Sequence, residues 1–302
     1  MRITNSMTYH DFLTNLQTNT AATQKSLDQL SSLKEVNHAS DNPLLASKIL
    51  DLTNAISQSK TYGQTIKDGQ DWTNTQDSAL DAVGNSMLRI RSLIQSSANG
   101  TMGTEELQAN KAEIGQEIRS IVDSLNTNYD GRYIFAGQST TTKPFSVEEK
   151  DGEITGISYQ GSKENLSREI ASGVTVDLPT NGQAVLKEEN GESLSTFFGG
   201  LLKAVNDGSS SELSGKYLKN VDDYRSNITN LRTQIGAISN RLKAASDRND
   251  TQNTQLKDTL SSNQDVDVAQ KYMEYQNQMT AYRATMAMGT KIMQTTILDY
   301  LR

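Results

Sequence analysis

"YLKNVDDYRSNITNLRTQIGAISNRLKAA", residues 217–245, is the stretch on which the fold of this chain turns. Tyr217, Val221, Tyr224, Ile228, Leu231, Ile235, Ile238, Leu242 and Ala245 recur at alternating spacings of four and three. On an α-helix that spacing gathers apolar residues into one stripe, and the residues between them are mostly polar or charged. Such a stripe needs a partner to bury it. The segment therefore predicts a long helix packed along its length on other helices.

The same rhythm continues toward the C-terminus. Val268, Tyr272, Tyr275, Met279, Tyr282, Met286, Gly289, Met293, Thr296 and Tyr300 form a second seam, widened by Ile292, Ile297 and Leu301. A helix from Asp265 to the last residue would span about 57 Å. At the other end of the chain, Tyr9, Leu13, Leu16, Thr20, Thr23, Leu27 and Leu30 repeat the pattern, predicting a helix over 6–34. Threonine occupies two of its seam positions, so this helix is marginal alone. Asn42 and Pro43 suit the N-cap and first turn of a further helix carrying Leu45, Ile49, Leu52 and Ile56, with a break expected near Gly63–Gly69. It continues through Leu80, Val83, Met87, Ile90 and Ile94. A third helix carries Leu107, Ile114, Ile118, Ile121 and Leu125.

Between residues 131 and 189 the period shortens. Runs at 133–135, 145–147, 154–159 and 170–178 have β-type character and are punctuated by "KDGE" and "PTNGQ". Helix returns at 194–205, and "DGSSSELSG" reads as a flexible joint before the opening stretch. The fold class is mainly α. Both termini and a helical rod form a long antiparallel coiled coil, with a small β-rich insert. Three domains are expected: 1–38 with 262–302, 39–130 with 190–261, and 131–189.

Composition narrows the function. The 302 residues hold one Trp, 5 Phe and 3 Pro, little bulk for a large enzyme core. The formal charge of −7 argues against a nucleic-acid partner. It lies wholly in the middle, since 1–38 and 265–302 each sum to zero, as suits ends that pack against copies of themselves. No run approaches the length of a membrane span, and the opening residues lack the apolar region of a cleaved leader. Cysteine is absent, and His10 and His38 are the only histidines. No Ser–His, HExxH or phosphate-loop arrangement appears. No catalytic residue, metal or cofactor is expected.

Four segments carry a resemblance. "MRITNSMTYHDFLTNL" (1–16), "VNHASDNPLLASKIL" (36–50), "NYDGRYIFAGQSTTTKPFS" (128–146) and "DVDVAQKYMEYQNQMTAYRATM" (265–286) resemble the flagellin superfamily. Within it, the GRYIFAG stretch resembles the proteins of the hook–filament junction more than filament flagellins. Asn42 stands where the family pattern carries a second Asp. The resemblance implies a structural role, with paired terminal helices in the innermost wall of a tube and the β domain outermost. It implies export through the flagellar channel without a cleaved signal peptide, after binding a cytosolic chaperone. The implied partners are copies of the chain itself, a hook-side junction protein and flagellin. The assembly surface would comprise Leu13, Leu16, Leu27, Leu30, Met279, Tyr282, Met286, Met293, Ile297, Leu298 and Leu301. A filament flagellin is the close alternative, and a cytoplasmic coiled-coil adaptor or an enzyme on the insert the distant ones.

Overall fold

A computed structural model describes residues 5–150, 152–186 and 194–298. The described chain is mainly helical and divides into two units, residues 59–250 and residues 1–58 with 251–302.

The unit of residues 59–250 is built on two long helices, α2 (Pro43–Ser97) and α7 (Leu218–Gln264), with α1 (Asn5–Ser32) belonging to the other unit. Within 59–250 α2 and α7 run antiparallel. Arg91 pairs with Asp222 at 2.8 Å, Arg232 with Asp77 at 2.8 Å and Asp81 at 2.6 Å, and Asn249 donates to the Ser59 carbonyl at 3.0 Å. Hydrogen bonding and the opposed carboxylates hold the Arg91 and Arg232 guanidinium groups protonated above their already high range. Val221, Tyr224, Ile228, Ile235 and Leu242 are buried, so the opening stripe packs as its spacing predicts.

The break expected near Gly63–Gly69 does not occur, and α2 runs unbroken. A Cβ on Gly69 would lie 3.3 Å from Leu242, and one on Gly63 would lie 3.0 Å from the Asn249 side chain. These glycines let α7 approach. The packing outweighs their helix penalty of about 1 kcal/mol each.

α3 (Thr104–Leu125) buries Ile114, Ile118, Ile121, Val122 and Leu125 and is joined to α2 by Arg89–Glu113. Glu106 accepts from the Gly103 N–H at its start, satisfying a free helix-end donor. Six strands follow, paired as three antiparallel hairpins: β1 (Asn128–Tyr129) with β2 (Arg132–Tyr133), β3 (Phe145–Lys150) with β4 (Glu153–Tyr159), and β5 (Leu166–Ala171) with β6 (Val174–Leu178). The single run read over 170–178 is thus the end of one strand and all of the next. Gly173, at φ 72°, supplies the left-handed turn between them. Ile134, Phe135 and Ala136 of the GRYIFAG stretch are buried, and Gln76 of α2 donates to the carbonyls of Ile134 and Pro179.

A short helix α4 (Gln183–Leu186) precedes α5 (Leu194–Asn206). Phe197 of α5 stacks on Phe198, Tyr217 and Tyr224 at centroid distances of 5.1–5.7 Å. The joint read as flexible is instead ordered as α6 (Ser210–Glu212) and a π turn (Leu213–Tyr217) leading into α7. Buried Leu213 and Tyr217 anchor it to the core.

In the unit of residues 1–58 and 251–302, α1 lies antiparallel to α8 (Val268–Leu298). The backbones of Lys34 and Asp265 pair as an isolated antiparallel β-bridge, and Asn19 donates to Thr285 at 2.9 Å. Asn42 accepts the Leu45 N–H at 3.1 Å, capping the start of α2 as its sequence predicts. Asp267 accepts from Ala269 and Gln270 and caps α8. Leu33 closes α1 at φ 57°, in the left-handed region.

Candidate functional site

Every buried apolar side chain among the described residues lies between Ile66 and Leu242. In the terminal unit the buried side chains are polar, Ser26 and Gln29, with Gly289 buried where α8 meets the ring of Phe12. A Cβ at Gly289 would overlap that ring, so glycine there sets how closely the two helices approach. Conversely, of thirteen large exposed apolar residues among the described ones only Leu88 and Val174 lie outside the terminal unit. Met7, Tyr9, Leu27, Leu33, Leu44, Leu50, Val268, Tyr272, Met273, Met286 and Met288 all face solvent. That is the inverse of a monomeric surface, and it marks an interaction site.

The residues read from the sequence as an assembly surface fall in three groups. Leu13, Leu16, Leu30, Met279 and Tyr282 are half-buried in the α1–α8 unit. Leu27 (41% exposed) and Met286 (46%) face outward. Met293, Ile297 and Leu298 lie on the last turns of α8, but their side chains, and Leu301 entirely, fall outside the described residues.

The α1–α8 contact uses Gly289 of the predicted seam together with two residues the apolar pattern passes over, Phe12 and Asn19, and Ser26 and Gln29 are buried in the same unit. Gln29 donates to the Glu35 carbonyl at 2.6 Å. Lys271 reaches Glu35 and Glu274, both at 3.2 Å. Burial pushes the Lys271 ammonium down, but its hydrogen bonds to Glu274 and Glu35 outweigh that and hold it above its ordinary 10.5. The Asp41 carboxyl is held low, chiefly by the His38 backbone N–H and further by Lys25. These groups border a cavity of about 360 Å³ lined by both charge signs. Among the described residues no cluster of His, Cys, Asp and Glu is arranged to hold a metal, and no helix is long and apolar enough to cross a membrane. What this geometry does offer is a near-neutral helical unit whose surface carries uncovered leucine, methionine and tyrosine.

Known proteins share this organisation. The profile of the bacterial flagellin N-terminal helical region matches residues 3–140, and that of the C-terminal helical region matches 218–301. Flagellar hook-associated protein 3 of Escherichia coli is 25% identical over 94% of this chain and 95% of its own length. A flagellin of Bacillus subtilis is 22% identical over 95% of each chain. The crystal structure of Bacillus cereus FlgL covers 70% of this chain and 99% of its own at 25% identity and a TM-score of 0.57.

Proposed function

The chain belongs to the bacterial flagellin family and is a structural component of the bacterial flagellum, and we propose that it forms the layer joining hook to filament and templates filament growth. One observation carries the reading. The relative matched over 94% of this chain and 95% of its own is a hook-associated protein, so the likeness includes the insert as well as the shared terminal helices. The uncovered apolar residues of the terminal unit support self-association through α1 and α8, with Leu13, Leu16, Leu27, Leu30, Met279, Tyr282 and Met286 in that unit and Met293, Ile297, Leu298 and Leu301 assigned to the same surface from the sequence pattern. In this reading the chain meets copies of itself, a hook-side junction protein and flagellin. It travels through the flagellar export channel, escorted beforehand by a cytosolic chaperone. The near full-length match to a filament flagellin favours a second reading, a minor filament subunit.

Electron microscopy of a strain lacking this chain separates the two. A junction protein leaves hooks without filaments and flagellin free in the medium. A filament subunit leaves the junction complete and changes only the filament.

A further inference from the structure

Leu33 combines two unfavourable features in one residue. Its φ of 57° lies in the region that L side chains enter at a cost, and where a helix end ordinarily carries glycine. Leu33 is 53% exposed, so about half of it finds no cover within the chain. The position itself is firmly held. The Leu33 carbonyl accepts from the Val266 N–H at 3.2 Å and the Glu35 N–H donates to the Gln264 carbonyl at 2.7 Å, so Lys34 and Asp265 stand opposite each other in an antiparallel backbone bridge. Val268, on the segment paired with it, is 51% exposed as well. A strained apolar side chain is thus presented to solvent from a stapled platform. Strain of this kind persists where the surrounding structure over-determines it, and it clusters at functional sites.

We propose that Leu33 is a docking knob covered by a second copy of this chain in the assembled layer. The proposal rests on the self-assembly reading above. Charge selects the occupant. Residues 1–58 and 251–302 hold nine Lys and Arg against ten Asp and Glu, only −1 of the total −7, leaving −6 for residues 59–250. A near-neutral unit of mixed sign meets its own copy without the repulsion that two acidic surfaces would suffer, whereas a basic partner would be drawn to residues 59–250.

The test uses the full chain as the only copy in the cell. Leu33→Gly and Leu33→Asn remove the knob while relieving the backbone, and Leu33→Met keeps an apolar side chain. Purified Leu33→Gly should be at least as helical and as heat-resistant as the parent, yet filaments per cell should fall at least fivefold. Leu33→Met should restore them. Filament numbers unchanged in Leu33→Gly overturn the knob, as does a helicity loss that tracks filament loss in all three variants. Because the chain has no cysteine, Leu33→Cys carries a single thiol for a photoreactive label on detached flagella. An adduct between two copies is expected, and an adduct only with a different protein overturns the second-copy occupant. Leu298→Asp with Leu301→Asp, run in parallel, tests the underlying reading. Filaments lost there but normal in Leu33→Gly reject the knob alone, and filaments normal in both reject self-assembly through this unit too.

Discussion

Residues 59–250 and the terminal helices are made of the same kind of sequence, heptad-like and polar between the seams, yet they bury opposite things. The first unit closes around Ile66, Met87, Ile118, Phe197 and Tyr224. The second encloses Ser26 and Gln29 and leaves leucine, methionine and tyrosine uncovered. A core of large apolar side chains makes a unit stable by itself, because each fully buried one contributes about 1.5–3 kcal/mol. A helix pair lacking such a core depends on what comes to cover it. The difference between the two seams is therefore a difference in where their stability is completed: inside the chain for one, between chains for the other.

The strongest attempt to break this comparison places charge in the apolar C-terminal segment of the sequence. Leu298→Asp with Leu301→Asp should abolish filament attachment, with flagellin released into the medium, while the melting of residues 59–250 stays unchanged. Export of the variant is verified first by its presence outside the cell. Normal filaments would mean that the terminal face has another purpose.

Next in size is amide exchange in the dilute monomer. Amides at Ile90 and Ile118 should exchange on the order of a hundredfold or more slowly than those at Leu16 and Met286, since local opening follows buried contact. Equal protection would erase the distinction between the units.

A substitution pair sharpens it further. Ile235→Asp, at a position 2% exposed, should cost about 3–5 kcal/mol in urea unfolding, whereas Leu27→Ala should stay within about 0.5 kcal/mol.

The smallest effect concerns Lys271. Its folded pKa is raised above 10.5, so its ion pairs contribute fully below that pH and fade as pH climbs through the folded value. The pairs are partly solvated, and Lys271→Met should lower the stability of the α1–α8 pair by about 0.2–1 kcal/mol at pH 8. The gap between parent and variant, followed by circular dichroism, should close toward pH 12.

Much of this was legible in the chain itself. The four–three stripe of Val221 to Leu242 predicted which residues the core of α7 would bury, because packing there obeys helix geometry alone. The Asn42–Pro43 start was legible because capping is local chemistry. The supposed break at Gly63–Gly69 was not, since a glycine that ends a helix and one that admits a neighbour look identical until Leu242 and Asn249 stand beside them. The terminal seam was legible in part. Strict heptads place Tyr275, Met279, Tyr282 and Gly289 inward, and these are buried or half-buried. They also place Tyr272 and Met286 inward, but a straight helix drifts about 20° per heptad, and both are exposed while Thr285 meets Asn19. Polar Ser26 and Gln29 could not be found by any search for apolar spacing. Leu33 gave no warning either, because a left-handed leucine reads like any other until its backbone angle is known.

The three hairpins have a kinetic consequence. Each strand pairs with the next one in the chain, so every sheet closes over a handful of residues and none awaits a distant segment. Hairpins of this sort form in about 1–10 μs. The α1–α8 pair is the opposite case, joining residues 266 apart at the Asn19–Thr285 hydrogen bond. Closing so long a loop carries the larger entropic cost and slows the search. A chain emerging unfolded would therefore form its hairpins early and pair its ends last, leaving those ends open for capture by neighbouring subunits throughout the interval.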